Sequence, residues 1–207
     1  LQPASGALRH NNKAKQKHRV SADPDEVVRS RIQKILEGDT LAFEALVADY
    51  QDTVARFVYK VVTHPEDREE VCQDVFVKVY LNLDKFRFDS RFTTWLYQIA
   101  YRTAVSSLRR KRHETETYED EIAASDTDLV STQQTHAILD AAMKKLKLEE
   151  RSVVTLHYFQ DSSIEDISAI IDRPAGTVKS ILHRARQKLS THLERQAPEL
   201  KEVVGYE

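Results

Sequence analysis

Apolar residues recur at intervals of three and four along most of this chain, the spacing that lines one face of an α-helix. Val27, Val28, Ile32, Ile35 and Leu36 mark a first helix from Asp25 to about Leu36, and Gly38 ends it. Asp39 or Thr40 then caps a second, which carries Phe43, Leu46, Val47, Tyr50, Val54, Phe57, Val58 and Val61. His64-Pro65 interrupts the pattern, because proline disfavours helical geometry at the residue before it and suits the start of a helix. Glu66, Asp67, Glu69 and Glu70 follow in the first turns, where they complement the helix dipole. The stripe Val71, Val75, Phe76, Val79 and Leu83 completes a third helix. A polar and aromatic stretch from Asp84 to Thr94 separates it from a fourth, expected from about Thr94 to Arg110 with Trp95, Leu96, Ile99, Ala100, Thr103 and Leu108 inward. The helical pattern returns around Thr135–Lys147 and Glu149–Phe159, and ends in two short helices joined by Asp172-Arg173-Pro174-Ala175.

Composition supports an all-α reading: four glycines and five prolines in 207 residues are too few for the tight turns a strand-rich fold needs. No run of 18 apolar residues suggests a membrane span, and the polar, basic start lacks the apolar core of a signal peptide. Cys72 is the single cysteine, so neither an internal disulfide nor a cysteine-rich zinc site is expected. These features together point to the cytoplasm.

The formal net charge of −2 hides a segregation. Residues 1–20 hold five Lys/Arg and no acid, and residues 102–113 hold Arg102, Arg109, Arg110, Lys111 and Arg112, again with no acid. Between Glu114 and Thr135 the sign reverses, with seven acids and no Lys/Arg. Residues 176–193 return to basic with Lys179, Arg184, Arg186 and Lys188. The chain therefore divides into a disordered basic arm (1–24), a helical domain (25–113), an acidic flexible linker (114–135), a second small helical domain (136–195) and a tail (196–207).

The sharpest local signal lies in the second domain. Ser163 and Asp166 form a capping box that opens a short helix with Ile167, Ile170 and Ile171 inward. After the prolyl turn a second helix starts at Gly176 or Thr177, with Val178, Leu182, Ala185 and Leu189 inward. Lys179, Ser180, His183, Arg184 and Arg186 are left outward. This is the layout of a helix-turn-helix, whose second helix enters the major groove. Long cations would hold phosphates, while Lys179 and Ser180 are placed for base edges.

Gly176-Thr-Val-Lys-Ser and His183-Arg-Ala-Arg resemble the end of region 4 of sigma-70-family factors, the part that reads the −35 promoter element. The likeness extends back to about Ala137 through Leu148-Glu-Glu-Arg151 and Tyr158-Phe159. In the first domain, Phe43-Glu-Ala-Leu46 with Tyr50 resembles the opening of sigma region 2. Asp67-Arg-Glu-Glu-Val-Cys-Gln-Asp-Val-Phe76 resembles region 2.2, which docks on core RNA polymerase. Phe86-Arg-Phe-Asp-Ser-Arg-Phe-Thr-Thr-Trp-Leu-Tyr-Gln-Ile-Ala100 resembles the promoter-melting regions 2.3 and 2.4. Both blocks in this order, with an acidic linker and no large region 3, are similar to the extracytoplasmic-function group. Departures are Asp172 and Phe88 where the family usually has glycine, Ile181 where arginine is usual, Lys147 where proline is common, and Arg102 where asparagine is common.

The resemblance implies a sigma factor that binds core polymerase, recognises a −35 duplex and melts a −10 element. Its implied partners are the beta and beta-prime subunits of core polymerase, promoter DNA, and an anti-sigma factor or another regulatory or recruiting protein. Asp67, Glu70, Gln73, Asp74 and Lys78 are the candidates for polymerase contact. Phe86, Arg87, Phe88, Asp89, Ser90, Arg91 and Thr93 offer the aromatic faces, cations and polar groups that catch an unstacked base. Arg102, Arg109, Arg110, Lys111 and Arg112 would line the DNA path beyond them. Arg173, Thr177, Lys179, Ser180, His183, Arg184 and Arg186 are the candidates for −35 DNA. A helix-turn-helix regulator with a sensor or dimerisation domain is the alternative, but it has no need of a melting segment beside a basic helix. No glycine-rich phosphate loop, metal-ligand cluster or nucleophile constellation points to an enzyme, a cofactor or a metal.

Overall fold

The computed structural model describes residues 24–114 and 131–196, and among these every regular element is helical. Helix α1 (Pro24–Leu36) stops at Gly38, whose φ of 98° only glycine adopts without strain. Helix α2 (Thr40–Val61) opens on Asp39, whose carboxylate accepts the Ala42 N–H at 3.1 Å. Helix α3 (Pro65–Asn82) starts on its proline and runs into a 3-10 turn, Leu83–Lys85. Helix α4 (Phe92–Glu114) is longer at both ends than the sequence pattern predicts. Helix α5 (Ser131–Lys144) precedes α6 (Leu148–Val154), which continues through a π-turn, Thr155–Phe159. Helices α7 (Ile164–Ile171) and α8 (Ala175–Gln196) form the helix-turn-helix. The basic arm, most of the acidic linker and the tail lie outside the described residues.

The apolar stripes meet as periodicity requires. Leu46, Val54, Phe57, Val58 and Val61 of α2 pack with Val71, Val75 and Val79 of α3 and Leu96, Ala100 and Ala104 of α4. Leu108, expected inward, is exposed instead, because the face of α4 turned to α3 there runs through Ala104, Ser107 and Lys111 and leaves Leu108 beside it. On the other side of residues 115–130, Val153, Leu156, Ile167, Ile170, Val178, Ile181 and Leu182 are buried. Ile181 therefore belongs to the inward face of α8, where an arginine could not reach DNA without withdrawing from the core. The helices before and after the linker share one continuous apolar cluster, with α2 and α4 lying against α6 and α7.

The turn between α7 and α8 rests on Asp172, at φ 56° and ψ 54°, with its N–H bonded to Ser168 O. A side chain in that left-handed well costs roughly 1–2 kcal/mol, partly offset by glycine's greater freedom when unfolded. Asp172→Gly is thus expected to raise stability by about 0.5–1 kcal/mol, read from the urea midpoint. An unchanged midpoint would show that Asp172 gains as much locally as it loses.

Candidate nucleic-acid and polymerase interfaces

Helix α8 turns one side to the core and the other to solvent. Val178, Ile181, Leu182, Ala185 and Leu189 are buried, while Thr177, Lys179, Ser180, His183 and Arg184 are exposed together near the amino-terminal end. Arg186 is half-buried, and Arg173, just before the helix, holds Glu149 at 3.2 Å. Ser180 Oγ donates to Gly176 O at 3.0 Å, which leaves its lone pairs facing out. The arrangement can place cations on phosphates and two short polar side chains at base edges.

The segment between α3 and α4 is built differently from the sequence expectation. Phe86 is buried, packed against Phe88 (4.6 Å between ring centroids), Phe92 (5.6 Å) and Trp95 (5.1 Å). It is a core residue and not a free stacking platform, because an aromatic run one turn from α4 finds apolar neighbours first. Phe88 is half-buried at φ 60°, which is why glycine would be easy there, and the Arg29 guanidinium lies 4.1 Å from its ring centre. Arg87, Asp89, Ser90 and Arg91 are exposed, and Thr93 is half-buried.

The basic stretch of α4 is partly engaged. Arg102 and Arg109 are exposed, and they line a crevice with Tyr101, Ile170, Asp172 and Arg173. Arg110 pairs with Glu70 at 2.5 Å, and Lys111 pairs with Asp67. The Arg112 side chain lies outside the described residues. Asp67 is itself buried beside Lys111, so it braces α3 against α4 and is not part of an exposed docking face. Lys78 likewise leans on α4, donating to Thr103 Oγ1 at 3.2 Å, with Asp74 3.9 Å away.

What α3 does expose is Glu66, Glu69, Glu70 and Gln73 in its first half and Val77, Tyr80 and Leu81 in its second. These apolar three were missed by sequence reasoning, which assigned the outer face to polar residues. The signal was present: Val77 and Leu81 stand four apart and off the Val71-Val75-Val79 stripe. Phe43 of α2 meets Tyr80 edge-on at 4.9 Å, which widens the patch. A contiguous apolar patch beside acids is suited to a protein partner.

Polar links join the two halves of the chain. Asp166 accepts from Arg91 at 2.7 Å and from Thr94 Oγ1 at 3.1 Å, Tyr97 Oη donates to Gln160 Oε1 at 2.7 Å, and Gln98 donates to Ala169 O at 3.1 Å. Arg151, buried in α6, donates to Val61 O at 2.9 Å. Burial pushes the Tyr97 phenol up to about 12, so it stays a donor. Burial also pushes the Asp166 and Glu150 carboxyls up, but other groups outweigh it and hold both below their ordinary values. For Asp166 these are hydrogen bonds from Ser163 and Thr94 and the Arg91 charge; for Glu150, hydrogen bonds from Lys188 and the Lys147 N–H. A carboxyl with a depressed folded pKa contributes stability that is fully present above its unfolded value and is lost as pH falls through the folded one. Urea midpoints are therefore expected to drop as pH falls below about 4.5, and Glu150→Gln with Asp166→Asn to flatten that dependence.

The description "Sigma-70 region 2" matches residues 46–114 and "Sigma-70, region 4" matches residues 136–189. The chain is 35% identical over 184 residues to the ECF RNA polymerase sigma-E factor of Escherichia coli K12, spanning 82% of this chain and 94% of that protein. It is 29% identical over 181 residues to the ECF RNA polymerase sigma factor SigW of Bacillus subtilis, spanning 81% and 97%. Among solved structures, the sigma factor RpoE of Bartonella quintana, co-crystallised with the anti-sigma factor NepR, superposes with a TM-score of 0.61. That match has 22% identity and covers 73% of this chain and 96% of the other, a likeness of fold.

Proposed function

The chain belongs to the sigma-70 family, in its extracytoplasmic-function group, and directs RNA polymerase to promoters; from that premise we propose how its surfaces divide the work. Residues 25–113 act as the region that binds core polymerase and opens the −10 element, residues 136–195 read the −35 duplex, and residues 114–135 tether them. The outer face of α3 docks on core polymerase through Val77, Tyr80 and Leu81, flanked by Glu70, Gln73 and Asp74. Asp67 and Lys78 hold that helix in place from behind.

On the −10 side, the exposed groups Arg87, Asp89, Ser90 and Arg91 with the edge of Phe88 receive the unstacked strand, and Arg102 and Arg109 guide its phosphates. On the −35 side, the exposed face of α8 carries the contacts: Lys179 and Ser180 toward bases, Arg184 and His183 toward phosphates. The single observation behind this division is that exposed cations cluster on α4 and α8, while the exposed apolar patch lies on α3. The work is binding and positioning, with the chemistry left to the polymerase. Among the described residues no helix is long and apolar enough to cross a membrane, and we place the protein in the cytoplasm with its polymerase. The anti-sigma complex of the Bartonella quintana relative supports a partner of that class here.

Transcription in vitro with core polymerase free of other sigma factors tests the reading. Promoter-dependent transcripts from a genomic library are expected, and their absence together with a failure to bind core would overturn it. Arg184→Ala is expected to lower the slope of log affinity against log salt for duplex −35 DNA by about 0.9, the one phosphate contact it makes, while Lys179→Ala relaxes the preference for −35 sequence. An unchanged slope removes Arg184 from the phosphates, and an unchanged sequence preference removes Lys179 from the bases.

A further inference from the structure

We propose that a crevice between α2 and α5 is a binding site for a nucleoside phosphate, separate from the surfaces assigned to polymerase and DNA. It holds about 510 Å³, within the roughly 300–1,000 Å³ typical of small-ligand sites. One wall comes from the end of α2 and the start of α3, the other from α5 and the π-turn after α6. None of its lining residues belongs to the apolar patch of α3, to the segment between α3 and α4, or to α8.

Charge selects an anion. Arg56, Lys60, Arg68 and Lys144 line the crevice against one acid, Asp140. Two of the four are committed: Arg68 donates to Val62 O at 3.0 Å and Thr63 O at 3.4 Å, and Lys60 stands 3.8 Å from Asp140. Arg56 donates to Thr53 Oγ1 at 3.2 Å but meets no carboxylate among the described residues, and the Lys144 ammonium has no partner among them. A guanidinium and an ammonium left uncompensated in a concave site concentrate potential on an anion, and both suit phosphate oxygens.

The remaining lining groups ask for an aromatic ring with polar edges. Tyr59 and Phe159 are 53% and 38% exposed, and each carries a cation at its ring: Arg68 lies 5.3 Å from the centre of Tyr59, and Lys60 4.1 Å from that of Phe159. The ring surface still open can stack a flat heterocycle, as aromatic side chains do for bases. Gln160 lies in the same wall. Its Oε1 accepts from Tyr97, and its Nε2 is buried with no acceptor among the described residues. A buried amide N–H without a partner is rare, and a base edge supplies the acceptor after a small turn about the soft last torsion of the side chain. Free phosphate would use the cations alone, and an acidic peptide would leave the rings and the amide unserved. A phosphate joined to a base uses all three.

Calorimetric titration of the full chain at about 150 mM salt tests the site, with ATP, GTP and their diphosphates as probes and tripolyphosphate as the control without a base. At least one nucleotide is expected to bind with a Kd below about 100 μM, and tripolyphosphate at least 10-fold more weakly. Arg56→Gln with Lys144→Gln should weaken the nucleotide at least 10-fold. Phe159→Leu should weaken it at least 5-fold and leave tripolyphosphate unchanged. Lys179→Gln with Arg184→Gln, on the exposed face of α8, should bind the nucleotide as the unmutated chain does. Photolabelling of the unmutated chain by an 8-azido purine nucleotide needs no variant, and is expected to mark the peptides holding Tyr59 or Phe159. No nucleotide binding below about 1 mM overturns the proposal, as does tripolyphosphate binding as tightly as the nucleotides. Label confined to other peptides overturns it too, as does affinity lost in the α8 variant and kept in the crevice variant. None of these measurements involves polymerase or promoter, so the site stands or falls apart from the sigma reading.

Discussion

Val77→Glu combined with Leu81→Glu is expected to abolish promoter-dependent transcription while the helices remain folded. Both side chains stand on the outer face of α3, 56% and 65% exposed, one helical turn apart. Nothing in the fold uses them, so each substitution should change stability by no more than about 0.5 kcal/mol. At a docked interface the reverse holds, since an apolar anchor replaced by a charge leaves an unpaired carboxylate against a desolvated partner. Two central anchors at roughly 2 kcal/mol each amount to about 4 kcal/mol, on the order of 1,000-fold in dissociation constant. The neighbouring Glu66, Glu69 and Glu70 sharpen the effect, because the new charges convert a mixed patch into an acidic one. Fluorescence titration of labelled protein with core polymerase measures it, alongside binding of −35 duplex, which should not move. Core affinity within 3-fold of the unmutated chain would remove this face from polymerase docking.

Element type was legible in the sequence because it depends on local repeats. Asp39, Pro65 and Ser163 begin helices where their chemistry says they should, and Gly38 and Asp172 end them. Asp172 and Phe88 stand where the family usually has glycine, and both occupy left-handed backbone, so the family's glycine reflects a conformational requirement. Which face of a helix meets which neighbour was less legible. Phe86 was expected to wait for a base, and it is buried because Phe88, Phe92 and Trp95 are nearer than any ligand. Asp67 was assigned to an outer surface, and it pairs with Lys111, which lies 44 residues away and carries no local signature. The packing of α7 on α4 is of the same kind. Asp166 shows in the sequence only as a cap, and its bonds to Arg91 and Thr94 span more than 70 residues.

Arg151→Ala is expected to cost as much stability as truncating a core residue, although the side chain is charged. The side chain is 5% exposed, and its guanidinium serves two helix ends at once. Nε donates to Val61 O, the last residue of α2, at 2.9 Å, while Nη1 approaches the α5 carbonyls Lys144 O at 3.4 Å and Met143 O at 3.5 Å. Carbonyls at a helix carboxy-terminus lack intrahelical donors and carry the negative end of the dipole, so a buried cation there neutralises and hydrogen-bonds them together. Removing it leaves buried acceptors without that donor and a void where the stem packed, a loss of about 3 kcal/mol. At roughly 2–4 °C per kcal/mol for a chain of this size, Tm should fall by about 6–12 °C in scanning calorimetry. Arg151→Lys keeps the charge but not the planar fork, so it should recover less than half of that loss. Arg151→Met separates volume from charge: it refills the space, and any deficit that persists belongs to the carbonyls. Because Val61 lies in the first half of the chain and Arg151 in the second, part of the loss is a loosening of α2 from α6. In the Cys72→Ser chain with spin labels at Asp52→Cys on α2 and Gln187→Cys on α8, it should therefore appear as a longer distance between the labels well below the melting temperature. A melt within about 1 °C of the unmutated protein would mean that water serves these helix ends as well as the arginine does.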